Sequence, residues 1–171
     1  TQAPWNTHYQ MLDYIVEELP TVIANIVELD PSRASLSGHS MGGHGALTIG
    51  LKHPEKFRSI SAFAPIVSPV NCPWGQKALS GYLGADQSLW YNYDTCALIG
   101  QATRHLPILV DQGSADTFLD EQLKTPLLID ACANADYPIE IRMQEGYDHS
   151  YFFIATFIRE HLQFHSRHLG A

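Results

Sequence analysis

The stretch LSGHSMGGHG, residues 36–45, decides how the rest of the chain is read. Ser40 stands between Gly38 and Gly42, and Gly43 follows at once. Each glycine costs conformational entropy on folding, so a cluster of them calls for a reason. The pattern is G-x-S-x-G, expected by chance about 0.06 times in a chain of this length at average composition. Its setting adds weight. ASLS (34–37) reads as a strand before it and HGALTIGLKHP (44–54) as a helix after it, the strand–turn–helix context of a nucleophile elbow. In such a turn the flanking glycines avoid clashes and the serine Oγ stands clear of the sheet. The free N–H groups of the new helix supply positive potential beside it. The competing reading is a glycine-rich turn that carries a passive serine.

A serine hydroxyl is a weak nucleophile without a base, and the base needs an orienting carboxylate. After this elbow the expected chain order is Ser, then Asp or Glu, then His. PILVDQG (107–113) reads as a buried strand, and the segment VDQGSADTF offers Asp111 and Asp116. Asp111 falls at the strand's end and Asp116 lies out in the loop, so Asp116 is the expected acid. A plain loop or capping aspartate is its alternative role. IEIRMQEG (139–146) reads as the next strand, and EGYDHSYFF after it supplies His149. His161, His165 and His168 recur at i, i+4 and i+7. They read as a solvated helix face rather than a metal site, since no acidic or cysteine partner completes the pattern. His39 and His44 flank the elbow. His39 is a candidate pocket residue but cannot serve its own neighbour as a base. Phosphate-loop, CxxC and HExxH patterns are absent from the sequence.

Around these motifs the chain reads as one α/β domain spanning residues 1–171. Tyr9, Leu12, Ile15, Val16 and Leu19 recur at helical spacing over 7–27, with Thr7 as N-cap and Pro20 as a kink. SISAF (59–63) is a second strand, residues 119–135 a helix, and 150–170 a terminal amphipathic helix closed by Gly170. Residues 65–105 look irregular, as a functional excursion or lid does. Strand and helix alternate four times, which predicts a mostly parallel sheet flanked by helices, with reactive loops at the strands' carboxyl ends. Net charge is −8, from 18 acidic and 10 basic residues. That argues against nucleic acid or anionic membrane as the main partner, because both need a basic footprint. The three cysteines, Cys72, Cys96 and Cys132, are odd in number and lack CxxC spacing. They read as free thiols of a reducing compartment.

The segments GHSMGGHGAL, SAFAPIVSPVNCPWGQKALSGYLGAD, DQG followed by Asp116 and Phe118-Leu119, and QEGYDHSYFFIATFI closely resemble the S-formylglutathione hydrolase (esterase D) family of α/β-hydrolases. The likeness runs over nearly the whole chain. It places the nucleophile on Ser40, the acid on Asp116 and the base on His149, the same three residues chosen from chemistry. It implies an α/β-hydrolase fold and hydrolysis of the thioester S-formylglutathione to glutathione and formate, in formaldehyde detoxification, with side activity on short-chain esters. It also implies no cofactor, no metal and a cytoplasmic homodimer. The family carries a long segment before the position matching Thr1, with the first strands and a loop donating the second oxyanion-hole N–H. Only the Met41 N–H is present here for that hole. The expectation is therefore that this chain is the C-terminal portion of a larger enzyme, whose N-terminal part is removed, disordered or a separate piece. Trp74, in NCPWGQK, is a candidate substrate-pocket wall or a core tryptophan, and Cys72 a redox-sensitive or an inert buried thiol. Rival functions are a general carboxylesterase, an acyltransferase on the same fold, or a non-catalytic binding fragment.

Overall fold

Four short runs dense in apolar, β-branched and serine residues pair as one sheet: β1 (Ala34–His39), β2 (Phe57–Phe63), β3 (Ile108–Gly113) and β4 (Glu140–Gln144). The strand order is β1-β2-β3-β4 and every neighbouring pair is parallel. The structure is a computed structural model that describes residues 1–8 and 10–170. Seven α-helices are described: α1 (Met11–Asp13), α2 (Leu19–Ile26), α3 (Met41–Lys52), α4 (Pro73–Leu83), α5 (Thr95–Ile99), α6 (Thr125–Asn134) and α7 (Tyr151–His168). The parallel sheet flanked by helices is the α/β architecture expected from the alternation.

The period of two along each strand separates two unlike faces. Leu36, Ile60, Ala62, Ile108 and Val110 pack with Leu47 and Ile49 of α3 and Leu128 of α6 into the main apolar core. Fully burying one such side chain contributes roughly 1.5–3 kcal/mol. The opposite face carries Ser59, Ser61 and Asp111, all at 0 % exposure, and α7 lies across it.

Several expectations are corrected. The first helix begins at Met11, not Thr7, and no side chain caps it. A π-helical turn, Tyr14–Glu18, joins α1 to α2 in one unbroken helical run, and Pro20, which has no N–H to donate, stands just after that turn at the start of α2. Tyr9, part of the predicted apolar face, lies outside the described residues. The region 65–105 is not irregular. It folds as Pro69–Asn71, α4, Gln87–Tyr93 and α5, with the buried Trp90 donating from its indole to the Gly84 carbonyl at 3.0 Å. The 119–135 helix is two pieces, because Lys124 adopts φ 61° between the π-helical turn Leu119–Leu123 and α6. The terminal histidines are not a solvated face either: His161 is 0 % and His165 7 % exposed. The polar side of the sheet meets both ring nitrogens of His165 and Nε2 of His161, while His161 Nδ1 is buried without a partner among the described residues.

Candidate active site

Ser40 connects β1 to α3 with φ 57° and ψ −116°. A positive φ at a residue with a side chain costs about 1–3 kcal/mol, and surrounding structure must hold it. Here the Ser40 N–H donates to the Phe63 carbonyl of β2 at 2.9 Å, and its carbonyl accepts from His44 N–H at 2.9 Å as α3 begins. Gly38 is indispensable to this turn, since a Cβ there would overlap the backbone of Gly42 and Gly43. Gly42 is different. A Cβ there meets nothing within 4 Å, so clash avoidance explains one of the two motif glycines and not the other. Met41 is the first residue of α3, so its N–H is one of the helix's free donors beside the serine.

Asp116 and His149 sit in the loops after β3 and β4, at the same carboxyl edge of the sheet as Ser40. His149 Nδ1 and Asp116 Oδ2 are 2.6 Å apart, the short distance of a charge-assisted hydrogen bond. The carboxylate also accepts from Phe118 N–H at 2.9 Å on Oδ1 and from Gln112 Nε2 at 3.3 Å on Oδ2. Burial alone would raise the Asp116 pKa. The hydrogen bonds from His149, Phe118 N–H and Gln112 outweigh it and hold the carboxyl below its ordinary value. The two loops are stapled together. Ser114 N–H donates to the Gln144 carbonyl at 3.0 Å, Ala115 N–H to the Tyr147 carbonyl at 2.9 Å, and Gly146 N–H to Ser114 Oγ at 2.9 Å. A Cβ on Gly113 would overlap the Tyr147 carbonyl, so glycine is what lets the loops approach.

The His149 ring lies against His39, centroids 4.4 Å apart, and edge-on to Phe118 at 5.1 Å. Burial first, then the neighbouring His149, lowers the His39 pKa, and Asp116 opposes them. His39 therefore flanks His149 and packs on its ring. Trp74 stands in the first turn of α4, 38 % exposed, its backbone N–H bonded to Gln122 Oε1 at 3.0 Å. Among the described residues no hydrogen bond or ring contact joins it to Ser40, Asp116 or His149. Asp111, the other acid candidate, faces away. Arg142 grips it from Nε at 2.6 Å and Nη2 at 2.5 Å, and His161 Nε2 lies 3.1 Å from Oδ2. The thiols are free, and burial pushes Cys96 up to about 12, Cys132 up to about 11, and Cys72 above its ordinary value. Cys72 is fully buried and its sulfur caps α4, which fits the inert reading.

Sequence reasoning missed Gln112, Gly113, Ser114, Phe118 and Thr125. Only Gln112 left a signal: a polar residue continuing the apolar alternation of Ile108 and Val110.

An elbow serine with an aspartate–histidine pair at one sheet edge is the arrangement of a serine hydrolase of α/β type. The Esterase family model, described as "Putative esterase", matches residues 1–164, and the chain belongs to this family. Among curated proteins, it is 53% identical to an S-formylglutathione hydrolase of Rattus norvegicus and 51% identical to one of Mus musculus, over 100% of this chain in both cases. It spans 61% of the length of each of those relatives. An S-formylglutathione hydrolase structure from Agrobacterium tumefaciens superposes with a TM-score of 0.95 at 49% identity, covering 99% of this chain and 61% of that one. No described helix is long and apolar enough to cross a membrane.

Proposed function

We propose that this chain carries the nucleophile, acid and base of a serine hydrolase that cleaves S-formylglutathione to glutathione and formate, with short-chain esters as secondary substrates. The observation that carries the reading is the 2.6 Å Asp116–His149 bond at the sheet edge where Ser40 holds its strained elbow. The likeness to S-formylglutathione hydrolases at about half identity supports the substrate.

In this reading Ser40 Oγ attacks the formyl carbonyl while His149 Nε2 takes its proton. Asp116 accepts from His149 Nδ1–H, which fixes the tautomer and stabilises the imidazolium that forms. The oxyanion rests on the Met41 N–H, aided by the α3 N-terminus. The C–S bond then breaks, His149 returns its proton to the sulfur, and glutathione leaves. A thiol of pKa about 8.5 is a far better leaving group than an alkoxide, so this step asks little of the acid. Water, deprotonated by His149, attacks the formyl-serine. The tetrahedral adduct collapses, Ser40 regains its proton, and formate is released. His39 and Trp74 are offered as substrate-pocket residues, His39 on its packing against the base. The reading extends to a single 1–171 domain and, on family resemblance, to a homodimer. The free thiols support a reducing compartment such as the cytoplasm.

The test is hydrolysis of S-formylglutathione beside a short aryl ester, by wild type and Ser40→Ala. Thioester cleavage should exceed ester cleavage and fall about 10⁴-fold or more in the variant. Equal turnover in Ser40→Ala would overturn the assignment. A preference for longer acyl esters would favour a general carboxylesterase.

A further inference from the structure

We propose that Gln112, held by Thr125, is a positioning residue that fixes the Asp116 carboxylate for His149 through a neutral hydrogen bond. The inference rests on the serine-hydrolase reading above. Gln112 is 0 %, Thr125 1 % and Asp116 5 % exposed, so they are shielded from bulk solvent. Gln112 Nε2 donates to the Gly113 carbonyl at 3.1 Å and to Asp116 Oδ2 at 3.3 Å, and Gln112 Oε1 accepts from Thr125 Oγ1 at 3.0 Å. This amide orientation is dictated by chemistry. The flipped amide would aim its oxygen at a carbonyl and a carboxylate, while its nitrogen met a hydroxyl. Both amide protons and the amide oxygen are thus used, and the side chain has no second resting place.

The target oxygen matters. Asp116 Oδ2 is the atom that His149 Nδ1 contacts at 2.6 Å, while Phe118 N–H holds Oδ1 at 2.9 Å. Three donors therefore fix the carboxylate plane, two of them independent of the histidine. A cation in Gln112's place would also hold the oxygen, but it would quench the charge that stabilises the imidazolium. An amide holds the position and leaves the charge facing His149. The other titratable groups around this pair are His39, packed on the His149 ring, and Asp148, the residue before His149.

The experiment compares Gln112→Met, Gln112→Glu, Thr125→Val and Thr125→Ser with wild type in the full chain, with Ser40→Ala as reference for the underlying reading. Gln112→Met keeps the volume and removes the donor, and kcat should fall about 10-fold with KM unchanged, as for an interaction felt in the transition state. Gln112→Glu sets a second carboxylate on Oδ2. Two carboxylates that close share a proton, so a limb of the pH–rate profile should move by about one unit or more. Thr125→Val should show a smaller loss than Gln112→Met, and Thr125→Ser should restore wild-type behaviour. In parallel, the low-field proton resonance of His149 Nδ1–H reports the Asp116 bond whether or not the preparation turns over. It should shift in both Gln112 variants. Wild-type kcat, pH limbs and resonance in the Gln112 variants would overturn the inference, as would lowered melting temperature alone. Activity that survives in Ser40→Ala would instead sink the hydrolase reading, and the resonance would still decide the role of Gln112.

Discussion

Two aspartate–histidine pairs, one starting on β3 and one in the loop just after it, sit in opposite surroundings. Asp116 reaches His149 Nδ1 at the carboxyl edge of the sheet, and Asp111 reaches His161 Nε2 beneath α7. Both carboxylates are buried and both are held below their ordinary pKa against the pull of burial. The difference lies in what else they touch. Asp111 takes a bidentate grip from Arg142, which also reaches Glu160 at 2.5 Å, so its charge is neutralised in place. Asp116 receives only neutral donors besides its histidine. His161 has no exposed surface and stacks on Phe63 at 3.7 Å. His149 keeps 21 % of its side chain exposed. A neutralised, sealed pair can only hold elements together. A pair whose anion is left free and whose histidine meets solvent can move a proton.

Asp116→Asn is expected to have the largest effect. It presents an amide N–H to His149 Nδ1 and favours the wrong tautomer, so kcat should drop by about 10⁴. The fold should survive, because Phe118 N–H, which bonds the other carboxylate oxygen, can still bond the amide oxygen. A kinetic assay paired with a thermal melt checks this, and a large loss of melting temperature would break the contrast. Asp111→Asn should act the other way. It leaves Arg142 without its buried counter-charge, at a cost of about 4 kcal/mol. In a domain of this size that is a fall of roughly 8–16 °C in melting temperature. Turnover per folded molecule should stay near wild type. If Asp111→Asn abolished turnover with stability intact, the two pairs would have been assigned the wrong way round.

The Asp116–His149 pair was the more legible of the two. Ser40, Asp116 and His149 follow from chain order and from each lying after a strand, because the loops at the carboxyl ends of parallel strands converge. The elements were also legible where period and punctuation agreed, as in β3 and α3. What could not be read depends on contacts distant in sequence. His161 and His165 look solvated because an i, i+4 spacing says nothing of what lies opposite. The answer is in Ser59, Ser61 and Asp111, the alternate residues of two other strands. The 65–105 region hid its helices because they are short and start at Pro69, Pro73 and Thr95 without a long apolar stripe. Gln112 could be seen as polar in an apolar strand, but its partner Thr125 lies beyond the loop in α6.

The smallest effect comes from the neighbour of the sealed pair. His165 lies one turn beyond His161, with Nδ1 2.8 Å from Ser59 Oγ and Nε2 2.8 Å from Ser61 Oγ. Ser61 donates to Ser37 at 2.9 Å, so it accepts from Nε2–H, and Nδ1 is left to accept from Ser59. The network thus suits the neutral ring. Burial first, then His161 and His168, push its pKa down to about 4. In the unfolded chain histidine titrates near 6.5. The unfolded state therefore binds more protons between the two values, and stability falls as pH drops through that window. It is fully present above about 6.5 and the loss is complete below about 4, amounting to about 3 kcal/mol at 1.36 kcal/mol per unit. The carboxylates of Asp111 and Asp116, held below their ordinary values, titrate on the acid side of this range. Half-buried His39 and His44, whose pKa values are also lowered, add to the slope in the same direction. Urea unfolding at pH 7 and pH 4.5 measures the sum, and His165→Gln isolates one part of it. The variant should start less stable at pH 7 and lose less on acidification than wild type. A slope as steep in the variant as in wild type would place the acid sensitivity elsewhere and leave His165 a packing residue only.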